Sequence, residues 1–205
     1  TLYWIVQSGQ EDAVIENLLA KYDSLSDFLH VEKKNPDVYP TFAQQYTEDA
    51  VSNNSLVVVS GEKYRYVPYS DIYVTQGSQF SYSYSTSFDG EGAITSAIDY
   101  VVSTELPKLY LLEGHGESEL PESFQEQLEK ENVETESLSL LTVDEVPEDA
   151  AALMLYAPAS DISKEEAQML ESYVQKGGKL LVLAGPVPDG ELTNLYGILE
   201  NYGIT

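Results

Sequence analysis

The chain has 205 residues, 42% of them hydrophobic and 11% aromatic, which is enough apolar matter for one large or two small folded domains and too much for a disordered chain. Thirty-five acids against ten bases leave a formal charge of −25, and Lys33-Lys34 is the only adjacent basic pair, which argues against nucleic acid and anionic lipid as partners. With no cysteine, disulfides, thiolate metal sites and thiol nucleophiles are excluded together.

No run reaches the roughly 18–20 apolar residues of a membrane span, and no signal-peptide pattern opens the chain. The sequence starts directly on Leu2-Tyr3-Trp4-Ile5-Val6, a buried-strand pattern, and reads as a soluble piece of a larger protein. Cysteine avoidance with high acidity points to an exported protein of a Gram-positive bacterium. A helix is predicted over Glu11 to Tyr22, with Val14, Leu18 and Tyr22 on one stripe and Ile15 and Leu19 beside it. Phe28 to Glu32 reads as a second strand. Pro36 and Pro40 break the chain, and Pro40 opens a short helix carrying Phe42 and Tyr46. Leu56 to Val59 is a buried strand, turned by Ser60-Gly61-Glu62 into a further strand, Lys63 to Val67. The order β-α-β-α-β-β is thioredoxin-like. Where that fold carries its redox pair, between first strand and first helix, this chain has Gln7-Ser8-Gly9-Gln10, so thiol exchange is ruled out.

From Phe80 to Phe88 the aromatic residues Phe80, Tyr82, Tyr84 and Phe88 alternate with serines at a period of two. Two readings fit: a half-buried strand packed on its own domain, or an edge strip that docks a partner chain or a second copy. Asp89-Gly90-Glu91-Gly92 then turns into a helix whose apolar face is Ile94, Ala97, Ile98, Val101 and Val102. The expected organisation is a thioredoxin-like domain over 1–75, an aromatic strand and connecting helix over 76–105, and an α/β domain over 106–205.

The second half alternates strand and helix. Strands are predicted at Lys108–Leu112, Val133–Leu140 and Ala152–Tyr156, with a helix at Pro121–Glu131. Ser163 and Glu166 form a capping box for a helix whose Ala167, Leu170 and Val174 face inward. Gly177-Gly178 ends it. Leu180 to Ala184 is wholly apolar, as the centre of a parallel sheet requires. The pattern is doubly wound and flavodoxin-like, and is expected to stop short of a further strand.

Gly114-His115-Gly116-Glu117 follows the first strand of this half, at the carboxyl edge where open α/β sheets bind ligands. Glu117, Glu119 and Glu122 occupy the positive end of the next helix and would repel a phosphate. Glu113, His115 and Glu117 offer oxygen and nitrogen metal ligands if a turn at Gly114 or Gly116 brings them together. Ser118 is the nearest hydroxyl for nucleophilic chemistry and lacks a visible acid–base frame. The reading favoured by the residues is a turn, with glycines supplying positive φ and His115 or Glu117 bonding the neighbouring domain. Asp161 and Ser163 read as a loop and an N-cap, and Gly185-Pro186-Val187-Pro188 as a stiff turn.

The segments "SFDGEGAITSAIDYV", "LPKLYLLEGHGESEL" and "LYAPASDISKEEAQMLESYVQKGGKLLVLAG", in this order, resemble the soluble region of the Gld-type ABC-transporter auxiliary proteins. That family is termed an uncharacterised ABC-type transport system and is related to a gliding-motility component. "NSLVVVSGEKYRYVPYSDIY" is similar to the family's segment before its Asp-Gly-Glu-Gly helix. The resemblance implies an extracytoplasmic region anchored by transmembrane segments outside this stretch. It further implies a thioredoxin-like half followed by a flavodoxin- or class I glutamine-amidotransferase-like half, and association with an ABC permease and ATPase. The chain has no phosphate-binding Gly-x-x-x-x-Gly-Lys-Ser/Thr loop of its own, and no cysteine nucleophile for amidotransferase chemistry.

The expectation is therefore a non-enzymatic, extracytoplasmic accessory domain that acts by binding, without cofactor or metal. Asp89 to Gly92 and Gly114 to Glu117 would be structural signatures, and Phe80, Tyr82, Tyr84 and Phe88 the candidate partner surface. The rivals are a metal-dependent or amidotransferase-like enzyme site at Glu113, His115 and Glu117, and a receptor holding a sugar or peptide between the halves.

Overall fold

The computed structural model describes residues 1–77, 84–185, 187 and 190–204, a mixed α/β structure. Its contacts divide the chain into two units, Thr1–Thr104 and Glu105–Thr205.

The first unit opens with β1 (Leu2–Ile5), α1 (Ala13–Leu25) and β2 (Val31–Lys34). A 3-10 turn at Ala43–Gln45 follows, and then β3 (Ser55–Ser60) and β4 (Lys63–Val67). The sheet order is β2-β1-β3-β4; β1 runs parallel to β2 and antiparallel to β3. Because side chains alternate along a strand, Leu2 and Trp4 face one side of β1 while Tyr3 and Ile5 face the other. On the first side they join Ile15 and Leu19 of α1 in the larger core. On the second, Ile5, Ala43 and Val57 pack under Tyr3, Phe42 and Tyr46. The predicted stripe of α1 is rotated: Ile15 and Leu19 are buried, whereas Val14 is exposed. Asp12 caps α1, accepting from Val14 N at 2.8 Å and Ile15 N at 3.1 Å. The second strand starts later than expected, and Phe28 is left 94% exposed in the loop before it.

A single helical turn, α2 (Tyr69–Ile72), leads into β5 (Tyr73–Gly77), which pairs with β6 (Tyr84–Phe88) as a separate two-stranded sheet. Phe80 and Tyr82 lie outside the described residues. The described part of the aromatic strip is not half-buried, for every residue of β6 is exposed. The helix α3 (Gly90–Val102) belongs to the first core, where Ala93, Ile94, Ala97 and Val101 meet the sheet. Val102, expected on that face, is exposed. The glycines of Asp89-Gly90-Glu91-Gly92 make room for neighbours. A Cβ on Gly90 would collide with the Phe88 ring, and one on Gly92 would come within 2.5 Å of the Asp89 carboxylate.

The second unit comprises β7 (Lys108–Leu112), α4 (Glu122–Lys130), β8 (Glu134–Leu138), β9 (Ala150–Tyr156), α5 (Lys164–Gln175), β10 (Leu180–Leu183) and α6 (Thr193–Glu200). Its four strands are all parallel, in the order β10-β9-β7-β8. On one face Tyr110, Leu112, Leu153 and Leu155 meet Leu170 of α5 and Leu195 and Ile198 of α6. On the other, Leu109 and Met154 pack with Leu120 and Leu128. The apolar run at Leu180 does not form the centre of the sheet. β9 and β7 hold that place, and β10 lies at an edge of the described sheet with Leu181 and Leu183 partly exposed. No helix among the described residues is long and apolar enough to cross a membrane.

Candidate functional site

His115 leaves β7 on a turn that only glycine suits on both sides, with φ of 123° at Gly114 and 73° at Gly116. Gly116 is doubly constrained, because a Cβ there would stand 3.0 Å from that of Ala159. The turn is bolted to the loop after β9. The His115 carbonyl accepts from Ala159 N at 2.9 Å, Ser160 N at 3.0 Å and Ser160 Oγ at 3.2 Å.

The imidazole is buried between two carboxylates. Nδ1 lies 3.0 Å from Glu117 Oε1, while Glu117 Oε2 accepts the His115 amide at 2.8 Å. Nε2 lies 3.1 Å from Glu166 Oε2 on α5. That same Glu166 oxygen accepts Ser163 N at 2.8 Å, and Ser163 Oγ accepts Glu166 N at 3.2 Å, completing the expected capping box. Burial pushes the Glu166 carboxyl up, but the Ser163 backbone and side-chain bonds, with His115, outweigh it and hold its pKa below the ordinary glutamate value. Glu166 Oε1 is buried and has no hydrogen-bond partner among the described residues.

The structure thus joins His115 and Glu117, adds Glu166, and leaves Glu113 out. Glu113 is exposed and makes no ion pair with them among the described residues. The two carboxylates approach opposite nitrogens of one ring and cannot converge on a common ion. Among the described residues no group of three or more His, Asp or Glu side chains has metal-holding geometry. A general base would need a nitrogen turned to its substrate, and both are taken. Ser118 is tied through its amide to Tyr156 O at 3.2 Å. Among the described residues, the bonding partners found for His115 and Glu117 belong to the second unit.

Asp161 closes the same rim. Its carboxylate accepts Asn194 N at 2.7 Å and Leu195 N at 3.1 Å, capping α6 from another loop, and Asn194 Nδ2 donates to Ile162 O at 2.7 Å. Pro186 and Pro188 of the turn after β10 lie outside the described residues.

The turn after β7 is therefore a buried, charged clamp in a parallel α/β unit. Residues 106–205 match the family model of ABC-transporter auxiliary proteins, described as an ABC-type uncharacterized transport system. The match supports that family for the second unit; "NSLVVVSGEKYRYVPYSDIY" and the Asp89–Gly92 motif lie outside the matched range. No curated protein and no solved structure matches the chain.

Proposed function

We propose that the chain is a non-enzymatic accessory region of an ABC transport system that works by binding on the extracytoplasmic face of the membrane. The family match over 106–205 carries this reading. The engagement of both His115 nitrogens, which withholds the site's one candidate base from a substrate, supports it. In this reading the first unit is a thioredoxin-like module without its cysteines. The second is a flavodoxin- or amidotransferase-like module whose reactive position has become a structural clamp. Transmembrane segments outside this stretch anchor it beside an ABC permease and ATPase, and the relation to gliding-motility components belongs to the same proposal. Tyr84 and Phe88 on β6 are the described part of its candidate partner surface. Affinity purification of the full-length protein from its native membrane tests this, with a permease and an ATPase expected among the co-purifying proteins. Recovery without either, together with hydrolase or amidotransferase turnover by the purified chain, would sink it.

A further inference from the structure

The carboxyl edge of β1 and β2 carries polar side chains that the fold has not spent, unlike those around His115 in the second unit. Between the loops 35–42 and 49–53 lies a crevice of about 400 Å³, within the range of small-molecule sites. Its walls carry Gln7, Tyr39, Phe42, Gln44, Asp49 and Asn53.

Gln7 and Asn53 are held in place by each other, with Asn53 Oδ1 accepting Gln7 N at 2.9 Å and Gln7 Oε1 accepting Asn53 Nδ2 at 3.0 Å. Gln7 Nε2 also donates to Asp37 Oδ1 at 2.8 Å, so the pair forms a fixed wall whose own polar atoms are engaged. Gln44 is exposed and has no hydrogen-bond partner among the described residues. Asp49 is exposed and, among the described residues, is bonded only to nearby Thr47, its Oδ2 accepting Thr47 Oγ1 at 3.4 Å.

Charge narrows the ligand class. The crevice's one lysine, Lys34, is already committed: its Nζ lies 2.9 Å from Glu32 Oε2 and 5.0, 5.3 and 5.6 Å from the ring centroids of Tyr3, Phe42 and Tyr39. An anion finds no uncommitted cation there, and a cationic ligand meets an ammonium already seated among the rings. What remains open to a ligand is the Asp49 carboxylate and the Gln44 carboxamide, which bond hydroxyls in fixed directions, beside the exposed Tyr39 ring, whose surface packs on C–H faces. We propose that this crevice binds a neutral, hydroxyl-rich small molecule, a mono- or disaccharide. The proposal rests on the reading of the chain as a binding accessory and gives that reading a ligand class and a place.

The test is a chemical-shift titration of the isotope-labelled 205-residue chain with glucose, N-acetylglucosamine, maltose and cellobiose. Glycine betaine, trialanine and inorganic phosphate serve as cationic, peptide and anionic probes. At least one saccharide is expected to shift the amides of Gln7, Phe42, Asp49 and Asn53 saturably. Tyr39→Ala and Asp49→Ala, both in exposed loops, are each expected to weaken it by about tenfold or more. Saccharide responses absent up to about 20 mM, or shifts there with the other probes instead, would overturn the site. So would undiminished affinity in both folded variants. Failure here with permease and ATPase still co-purifying removes the saccharide site alone. Saccharide binding without co-purification removes the transport reading alone.

Discussion

At the carboxyl end of β1 and β2 the first unit keeps a crevice in which Gln44 and Asp49 retain unspent polar groups. At the carboxyl end of β7 and β9 the second unit fills the corresponding place with His115, Glu117, Glu166 and Asp161, each bonded to another part of the same rim. The same topological position thus keeps uncommitted polar groups in one unit and spends its polar groups on the fold in the other. Polar residues at a strand's carboxyl edge are available to a ligand only when the fold does not use them to hold itself together.

Breaking the closed rim is expected to have the largest effect. His115→Ala would leave the Glu117 and Glu166 carboxylates buried without their shared partner, at a cost of about 3–5 kcal/mol. Hydrogen exchange of β9 and α5 amides reads that loss. A change below about 0.5 kcal/mol would mean that the charges relax into water and that the clamp stabilises nothing.

The next effect lies in the first unit and sharpens the contrast, because its edge is braced beside the crevice. Asn54 is buried with φ of 68°, a conformation Asn tolerates better than most residues. Its Oδ1 accepts Trp4 Nε1 at 3.2 Å and Asp12 N at 3.0 Å, and its Nδ2 donates to Gln10 O at 2.9 Å. Asn54→Ala strands the indole N–H and two backbone groups, and is expected to cost about 1–3 kcal/mol. Trp4 is the chain's one tryptophan, so its fluorescence reports the unfolding midpoint. An unchanged midpoint would show that water replaces the amide.

A smaller effect separates charge from shape at the clamp. The folded-state pKa of Glu166 lies below the ordinary value, so its contribution is present above the unfolded pKa and is lost as pH falls through the folded one. Glu166→Gln keeps the size of the side chain and removes that titration. The wild-type advantage in melting temperature over this variant is therefore expected to shrink as pH drops from about 5 to about 3. A gap that stays constant would assign the role of Glu166 to its helix cap alone. This loss is smaller than that of His115→Ala because the Glu117 bond remains.

Much of this architecture was legible in local patterns. The buried strand at Leu2–Val6, the capping box at Ser163 and Glu166, and the strand at Lys108–Leu112 all reappear, since apolar runs and caps are short-range properties. The position of β10 was not legible, because an apolar run such as Leu180-Leu181-Val182-Leu183 looks the same at the centre of a sheet as at its edge. Nor was the third member of the clamp. Glu166 announced itself as the third helical residue of a capping box. Nothing local shows that its oxygen also meets an imidazole 51 residues earlier. Glu113, near in sequence, stays exposed just past β7, because the positive φ of Gly114 breaks the extended run and carries His115 alone into the buried turn. The crevice in the first unit left no motif at all, for it is assembled from a strand end and two loops.

The smallest stability effect belongs to β6, where the distinction between spent and unspent surface concerns apolar groups. Tyr84 is 79% exposed, so Tyr84→Ser removes little buried area and is expected to leave folding stability within about 0.5 kcal/mol of wild type. The effect of this substitution should appear in association. Phe88 would be a poorer probe, because its ring also covers Gly90 and meets Tyr73 at 5.0 Å between centroids, so its loss would disturb the fold. If the strip is a self-association surface, light scattering of the concentrated wild-type chain should give a mass above its 22.7 kDa, and the Tyr84→Ser variant should return to that value. A wild-type chain that stays monomeric at every concentration would confine the strip to a different partner. A serine variant that still bound the permease complex as wild type does would then take Tyr84 out of the interface altogether.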